Sequence, residues 1–348
     1  MARETEVPEG VDLGVLTAFM DHKGLGEGPL TDLAVLTGGT QNILLKFSRS
    51  GRDYVLRRPP PKRRANSNET MRREARVLAA LAGSDVPHPG LIAACPEEIM
   101  DGAAFYPMEP VEGFNPTVGL PPLHAGDPAV RNRMGFALAD GIIALGRIDI
   151  GAVGLETLGK TDGWLERQVP RWRAWYESYR EFPTWTDEVP GVEAVGDWLE
   201  AHRPPSFKPG LIHGDYHLAN VMYRHDGGDL AAIVDWELAS TGDPLLDLGW
   251  LMAMWPEDGQ AAITPVTPWT GFPTIAEVID HYGRHSDRDL THIRWYGVLA
   301  CYKLGIILEG SHARAGAGLA PKAIGDRLHA STLNLFQRAL RWIDGAAP

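Results

Sequence analysis

The feature that most constrains this sequence is a predicted β-hairpin with polar side chains at the outer ends of both strands. Residues 221–223 and 230–236 are apolar runs short enough for buried strands, and residues 225–229 between them include two glycines suited to a turn. Asn220 and Asp235 are equally far from the turn centre, so a regular antiparallel pairing would set their Cα atoms about 4.5–5.5 Å apart. We therefore expect the hairpin to bring an amide oxygen and a carboxylate together as a Mg²⁺ site.

A third polar side chain, that of Asp215, lies on the loop that enters the hairpin, five residues before Asn220. Phosphoryl transfer needs such a set of groups. One carboxylate orients the attacking hydroxyl and accepts its proton, while an Asn and an Asp hold metal ions that neutralise charge on the phosphates. The pattern predicts Asp215 as the catalytic carboxylate and Asn220 with Asp235 as the metal ligands.

Two histidines flank Asp215, and they allow two interpretations. We interpret His213 as a buried residue that orients the loop and His217 as a brace, and we include both in the predicted catalytic set. The alternative is a metallohydrolase, because His213, Asp215 and His217 occupy alternate positions and would point one way on an extended segment. No second cluster of His and Asp in the sequence completes such a hydrolase site.

A resemblance to a known family rests on two segments. The segment His213-Gly214-Asp215-Tyr216-His217-Leu218-Ala219-Asn220 resembles the His-Gly-Asp-x-His-x-x-Asn loop of the aminoglycoside phosphotransferase family of kinase-like enzymes, and Asp235-Trp236-Glu237 resembles its metal-binding Asp-Trp-Glu segment. The resemblance implies a bilobal, protein-kinase-like fold with ATP, or GTP, and Mg²⁺ in the cleft. It implies transfer of the γ-phosphoryl group to a hydroxyl of a small molecule, and it implies that Asp247 braces the catalytic loop from behind.

The chain divides into a small α+β part and a mostly helical part. Before residue 114, apolar periodicity and turn residues predict helices at 11–24 and 70–81 and strands at 33–36, 43–47, 54–58, 91–94 and 104–108. After it, the periodicity predicts helices at 129–146, 161–180, 192–201, 244–254, 290–310 and 322–343. We expect an antiparallel-sheet, nucleotide-binding lobe at 1–113, with a hinge at 109–113, and a helical lobe at 114–348 that holds the catalytic loop and the acceptor site.

Glu74 lies on the apolar side of the predicted helix 70–81, where a carboxylate needs a cationic partner. Kinase-like folds place a Lys on the third strand, where it contacts the phosphates and pairs with a helix Glu. The matching segment here offers Arg57 or Arg58 instead, and we favour Arg57 for this role. A similar Val-Leu-Arg-x-Pro-Pro segment occurs in the subgroup that resembles the kinase-like domain fused to some acyl-CoA dehydrogenases.

The resemblance implies two further nucleotide contacts in the first lobe. Backbone groups of the hinge near Glu109 and Val111 would receive the adenine. The turn before the second strand would cover the phosphates with its backbone N–H groups and short side chains: Gly38, Gly39, Thr40 and Gln41.

Composition excludes several classes of protein. The 348 residues are 44% hydrophobic and 22% charged, which is ordinary for a globular protein. A formal charge of −12 argues against a nucleic-acid-binding surface, and two cysteines give no disulfide framework. The N-terminus lacks the apolar stretch of a signal peptide, and no run of 18 apolar residues predicts a membrane span. We expect a cytoplasmic enzyme without nucleic-acid or membrane partners, and no feature specifies its oligomeric state.

The acceptor and the activity itself are less constrained. The basic segments 62–64 and 72–76 are typical of a solvated face, or they meet a phosphate-bearing acceptor such as a coenzyme A ester. The helical lobe contributes −9 of the formal charge, which favours a polycationic aminoglycoside. An Arg in the position of the usual Lys leaves open a nucleotide-binding protein without turnover. All 11 tryptophans lie at or after Trp164; Trp172 and Trp175 are predicted core residues, or an aromatic wall for the acceptor.

Overall fold

Five strands pair in the antiparallel order β1-β2-β3-β5-β4 in the computed structural model, which describes residues 7–36, 42–185, 189–257 and 262–347. Their bounds are β1 (Thr31–Val35), β2 (Ile43–Arg49), β3 (Arg52–Arg58), β4 (Cys95–Met100) and β5 (Ala103–Met108). The hairpin of β2 and β3 closes through Ser50 and Gly51, both at positive φ (49° and 76°). Two consecutive residues at positive φ form a two-residue hairpin turn whose twist matches that of the flanking strands. The local sequence therefore sets the register between β2 and β3.

The two faces of the sheet are covered by two helices, α1 (Leu13–His22) and α2 (Ser67–Leu81). Alternation along β5 separates the faces: Phe105 packs in the cluster with α1, whereas Ala104 and Tyr106 pack in the cluster with α2. The α2 cluster is continuous with the core of the helical part of the chain. The sheet lobe therefore shares one of its two cores with the rest of the molecule, and α2 is the element that joins them.

The helical lobe follows the hinge and is built from the elements α3 to α10 with two short antiparallel strand pairs, β6 with β9 and β7 with β8. The helices are α3 (Pro122–Gly126), α4 (Pro128–Gly146), α5 (Gln168–Glu177), α6 (Val192–Ala201), α7 (Leu245–Met254), α8 (Ile275–His285), α9 (Ile293–Gly316) and α10 (Lys322–Ile343). The strands are β6 (Gly210–Ile212), β7 (Val221–Tyr223), β8 (Leu230–Ile233) and β9 (Ser240–Gly242). Within the described residues, none of these helices combines the length and the apolar character of a membrane span.

Helices α7 and α9 cross so closely that their backbones touch. A Cβ atom on Gly249 would lie 2.5 Å from the carbonyl oxygen of Tyr296, and a Cβ on Gly297 would lie 2.7 Å from Met252 Cε. Only glycine at these positions permits this approach, because no real Cβ contact is that short. The crossing fixes the position of α7 beside α9, and both helices contribute side chains near the catalytic loop.

The predicted α+β, bilobal architecture is confirmed, with a small antiparallel sheet followed by a mostly helical lobe. The strand predicted at 91–94 is wrong. The N–H groups of Ile92 and Ala93 both donate to the carbonyl of Pro107, which leaves no regular ladder, and β4 begins at Cys95. The helix predicted at 161–180 is wrong in its first part, because Gly163 adopts φ of 58° and α5 begins at Gln168. Helix α8 and the strands β6 and β9 were not predicted.

Gly249→Ala should destabilise the protein, because the new methyl group meets backbone rather than a movable side chain. We expect the free energy of unfolding in urea to fall by about 1–3 kcal/mol. Gly126→Ala is the matched control, since a Cβ there has no atom within 4 Å, and its stability should be unchanged or slightly higher. Equal stability of the two variants would contradict the backbone contact between α7 and α9.

Candidate active site

The catalytic loop leaves β6 and is held from behind by a buried acid on α7. Asp247, with no solvent exposure, accepts hydrogen bonds from the backbone N–H groups of His213 (2.7 Å) and Gly214 (2.9 Å). Burial raises the pKa of Asp247, and His213 together with these N–H groups opposes that shift. Gly214 has φ of 86°, which lets the chain turn sharply after the strand. The loop is thus anchored at the position that the family resemblance implied for Asp247.

Asp215 is held on both carboxylate oxygens. Trp250 Nε1 donates to Oδ1 (3.1 Å), and Asn220 Nδ2 donates to Oδ2 (3.0 Å). His217 Nε2 lies 3.3 Å from Oδ1. Burial disfavours the charge of this carboxylate, but the hydrogen bonds from His217 and Asn220 outweigh burial and hold the pKa of Asp215 below its ordinary value. The carboxylate is therefore ionised and fixed in orientation.

The two histidines support the loop through their own hydrogen bonds. His213 is fully buried, with Nε2 2.9 Å from the carbonyl of Val234 and Nδ1 accepting the N–H of Asp215 (3.3 Å). His217 Nδ1 accepts the N–H of Ala219. Both nitrogens of His213 are occupied by backbone groups, and the turn at Gly214 breaks the extended run that the hydrolase interpretation needs. The metal-donor groups that the described residues form do not include His213, Asp215 and His217 together.

The hairpin of β7 and β8 has a register one residue away from the predicted one. Val221 pairs with Ile233, and the N–H of Val234 donates to the carbonyl of Asn220, so Asn220 lies opposite Val234 and not Asp235. The turn is centred one residue earlier than predicted, since Tyr223 pairs with Leu230 and the N–H of Arg224 donates to the carbonyl of Asp229. A register shift between Met222 and Tyr223 then halves the offset, from two residues to one. Asp235 follows immediately, and the two predicted metal ligands remain neighbours at one end of the hairpin.

Asp235 forms a group of three carboxylates with Glu74 and Glu237. Its φ of 65° ends the strand and starts a 3-10 turn (Trp236–Leu238) that carries Glu237. Ligand oxygens of Glu74, Asp235 and Glu237 lie within 4.8 Å of one another. Burial and the charges of Asp235 and Glu74 raise the pKa of Glu237 to about 7. Such mutual repulsion favours a bound cation, and Asn220 turns its NH₂ to Asp215, which leaves its amide oxygen as a donor on the same hairpin end.

Arg57 connects this group to the small lobe. Its Nε and one terminal nitrogen donate to the two oxygens of Glu74, each at 2.8 Å, and the same terminal nitrogen donates to Asp235 Oδ1 at 2.6 Å. Tyr106 adds a hydrogen bond to Glu74 (2.8 Å). The predicted pairing of Arg57 with Glu74 is present, and Arg58 lies on the opposite face of β3, where it donates to the carbonyl of Pro59. Of the two candidate arginines, Arg57 is therefore the one that pairs with the helix Glu.

The hinge leads directly from the sheet to the catalytic hairpin. The N–H of Glu109 donates to the carbonyl of Gly90, and its side chain binds Arg52. Phe114 and Tyr223 exchange two backbone hydrogen bonds of 2.9 Å. Within the described part of the chain, the carbonyl of Glu109 and the N–H of Val111 have no hydrogen-bond partner. The predicted phosphate-covering turn (Gly38, Gly39, Thr40 and Gln41) lies outside the described residues.

The arginines on the predicted solvated face of α2 also bind protein groups. Arg72 donates to the carbonyl of Pro96 and to Glu98, which fastens α2 to β4. Arg73 donates to the carbonyl of Ala239, and Arg76 donates to Gly154 and Thr157. These contacts hold α2 against both β4 and the helical lobe.

Sequence reasoning missed three side chains of the site: Trp250, Tyr106 and Glu237. One available signal concerned Trp250, which follows Asp247 by three residues and therefore shares its face of α7. Glu237 was part of the recognised Asp-Trp-Glu segment. The contact of Tyr106 with Glu74 joins β5 to α2 across 32 residues, and no local pattern indicates it.

A family model described as the phosphotransferase enzyme family (APH) matches residues 32–282. The chain therefore belongs to this family. The acyl-CoA dehydrogenase family member 10 of Mus musculus is 27% identical over 303 residues, which is 85% of this chain and 28% of that protein. This chain thus spans less than a third of the length of that relative.

Solved structures agree with the family assignment. A presumed aminoglycoside phosphotransferase from Ralstonia eutropha superposes with a TM-score of 0.79 at 28% identity, covering 97% of this chain and 99% of that one. A thermostable mutant of aminoglycoside phosphotransferase APH(4)-Ia, in a ternary complex with AMP-PNP and hygromycin B, gives 0.60 at 17% identity, covering 95% and 99%. The latter likeness shows the shared fold.

Asp247→Asn should destabilise the protein and slow catalysis. The substitution turns an NH₂ group toward one of two backbone N–H donors, so a buried donor loses its acceptor. We expect the free energy of unfolding in urea to fall by about 1–3 kcal/mol. The control is Asp280→Asn on the exposed face of α8, which should leave stability within about 0.5 kcal/mol of wild type. Wild-type stability of Asp247→Asn would refute the bracing contact.

Proposed function

We propose that this protein transfers the γ-phosphoryl group of ATP, or of GTP, to a hydroxyl group of a small molecule. The observation that carries the proposal is a fixed, ionised carboxylate, Asp215, beside the carboxylate group around Asp235. Phosphoryl transfer needs these two functions next to each other, one for the acceptor hydroxyl and one for the metal and phosphates. Membership of a phosphotransferase family supports the proposal, as does AMP-PNP in the complex of APH(4)-Ia.

Asp215 orients the acceptor hydroxyl. The hydroxyl oxygen forms a bond to the γ-phosphorus, the bond from that phosphorus to the bridging oxygen of ADP breaks, and the hydroxyl proton passes to Asp215. A lowered pKa makes this carboxylate a weak base, which suits a loose transition state in which the proton leaves late. Trp250 and Asn220 hold the carboxylate in place, and His213 and His217 stabilise the loop conformation through their hydrogen bonds to backbone groups.

The residues present fit Mg²⁺, because the donors at the hairpin end are hard oxygens. The amide oxygen of Asn220 and the carboxylate of Asp235 would hold the ion, with Glu237 adjacent. Mg²⁺, when bound, neutralises charge on the phosphates. Arg57 offsets part of the charge of these carboxylates, because it binds both oxygens of Glu74 and Oδ1 of Asp235. Glu237 and the second oxygen of Asp235 are therefore the groups that gain most from a cation.

The small lobe supplies the nucleotide contacts in this proposal. The lobe boundary lies at residues 109–113, with 1–113 binding the nucleotide and 114–348 holding the catalytic loop and the acceptor. Arg57 reaches from β3 to the metal group and is placed to contact phosphate oxygens, with Glu74 fixing its orientation. In this proposal the carbonyl of Glu109 and the N–H of Val111 receive the adenine, and residues 38–41, which the sequence predicts as a turn, would cover the phosphates.

Two classes of acceptor follow from the relatives. The likeness to a protein named acyl-CoA dehydrogenase family member 10 favours a hydroxyacyl-CoA-like metabolite, and the hygromycin B complex of APH(4)-Ia favours an aminoglycoside-like antibiotic. A non-catalytic nucleotide-binding protein remains the second candidate function, and the feature that favours it is Arg57 at the position of the usual Lys. The occupied nitrogens of His213 weigh against the metallohydrolase.

A screen of hydroxyl acceptors tests the proposal through nucleotide consumption. With Mg²⁺ and ATP or GTP, we expect consumption to depend on one class among aminoglycosides, macrolides and hydroxyacyl-CoA esters. Asp215→Asn should lower kcat with that acceptor by at least about a hundredfold, because the proton acceptor is lost, while the dissociation constant for the nucleotide stays near that of wild type.

The matched control is Asp226→Asn, an exposed residue in the turn of the same hairpin, which should retain wild-type kcat. Wild-type turnover by Asp215→Asn would refute the role of this carboxylate. Nucleotide binding without consumption in the presence of every acceptor would favour the non-catalytic candidate instead.

A further inference from the structure

Helix α9 places a lysine in an unusual environment close to the catalytic loop. Lys303 is 8% exposed, and its ammonium lies 5.4 Å from the ring centre of Trp172 on α5 and 5.3 Å from that of Trp250 on α7. The cation is thus held between two buried indoles. Such contacts with aromatic faces stabilise a charge, but they offer no hydrogen-bond acceptor to its three N–H groups.

Within the described ranges, Lys303 Nζ has no hydrogen bond and no ion pair. The terminal nitrogens of Arg58 also lack hydrogen bonds, but one of them lies 3.8 Å from Asp101 Oδ2, whereas Lys303 has no such carboxylate partner among the described residues. A nearly buried ammonium without an acceptor is costly, and an apolar side chain of similar volume would pack at least as well. The lysine therefore indicates an acceptor atom that arrives with a ligand.

The position of Lys303 relates it to the reacting groups. The face of the Trp250 indole contacts the ammonium, and the Nε1–H of the same indole donates to Asp215. One ring therefore separates the cation from the catalytic carboxylate. A second cation, Arg171, lies 5.6 Å from the ring of Trp172, and its side chain has no ion pair among the described residues. Lys303 and Arg171 both lie against Trp172, and Trp250 connects this group to Asp215.

We propose that Lys303, between Trp172 and Trp250, binds an anionic oxygen of the phosphoryl acceptor close to the hydroxyl that reacts at Asp215. The assignment rests on the proposed function and narrows its substrate class to hydroxyl compounds that carry a carboxylate or phosphate. A polycationic aminoglycoside is disfavoured at this position, because a fixed ammonium repels like charge in a poorly hydrated site. The anionic oxygen comes either from the carboxylate of a free hydroxy acid or from a phosphate of its coenzyme A ester.

The charge of Lys303 depends on pH in the working range. Burial lowers the pKa of Lys303 to about 8, with the charge of Arg171 acting in the same direction and Asp247 and Asp215 opposing it. The ammonium is charged below that value and neutral above it. The efficiency of the reaction with an anionic acceptor should fall as the pH rises through about 8, and this alkaline loss should disappear when the lysine is removed.

Lys303→Met tests the subsite, with Lys322→Met on the exposed face of α10 as the control. The probes are the isomers of hydroxybutanoate, the corresponding hydroxybutanoyl-CoA esters and kanamycin, titrated calorimetrically without nucleotide and then assayed with ATP. We expect Lys303→Met to bind the anionic probe about tenfold to a hundredfold more weakly and to show KM for that acceptor raised by the same factor. The KM for ATP should stay unchanged, and stability in urea should be equal or higher.

Each outcome decides the assignment. Weaker binding of hydroxybutanoate alone, or of its coenzyme A ester alone, supports the subsite and identifies the source of the anionic oxygen. Unchanged binding and an unchanged KM in Lys303→Met would overturn the assignment. Equal losses of affinity for ATP and for the acceptor, together with reduced stability, would also overturn it. A wild-type protein that binds kanamycin and none of the anionic probes would do the same. A wild-type protein that binds the anionic probe through Lys303 but transfers no phosphoryl group supports the subsite and refutes the proposed function.

Discussion

The bridge made by Arg57 is the interaction on which the arrangement of the cleft depends. One guanidinium binds Glu74, a buried acid on α2, and Asp235, the proposed metal ligand at the end of the catalytic hairpin. It joins the sheet, the helix beside it and the helical lobe in one hydrogen-bonded group. Glu74 is fully buried and Arg57 nearly so, and such a pair contributes little net stability, because the loss of hydration offsets the attraction of its charges. We infer that the bridge serves orientation, since a bidentate pair permits very little rotation of either side chain.

Helix α7 fixes orientation in the same way on the catalytic side of the cleft. Asp247 fixes the backbone of the catalytic loop, and Trp250, one turn later on α7, fixes the carboxylate of Asp215. Helix α7 can serve both because Gly249 lets it press against α9. The geometry of one carboxylate therefore depends on a helix crossing that involves no group of the site itself. The packing of two helices outside the site therefore determines the direction of the hydrogen-bond donor that fixes Asp215.

Local sequence was sufficient for some of this and insufficient for the rest. The small sheet, its β2–β3 hairpin and helix α10 follow from alternation, turn residues and 3.6-residue periodicity, which neighbouring residues alone determine. Arg57 could be chosen over Arg58 because side chains alternate along a strand. The one-residue offset of the catalytic hairpin could not be foreseen, since it combines an earlier turn centre with a bulge, and a bulge depends on tertiary contacts. Trp250 and Lys303 come together from separate helices, and no spacing along the chain encodes that.

Net charge also proved a poor guide to the cleft. A chain with a formal charge of −12 places three cations, Arg57, Arg171 and Lys303, around the proposed reaction path. The net charge counts every charged residue of the chain, whereas binding depends on the few charged groups that a ligand contacts. The acidic helical lobe is therefore compatible with an anionic acceptor.

The most direct test of the central claim is to follow the phosphoryl group itself. With ATP labelled in the γ-phosphoryl group, Mg²⁺ and an acceptor that stimulates nucleotide consumption, mass spectrometry locates the label after the reaction. The account predicts that the label appears as a phosphate ester on the acceptor, in an amount equal to the ADP formed. Label found in free inorganic phosphate, with the acceptor unmodified, would contradict it.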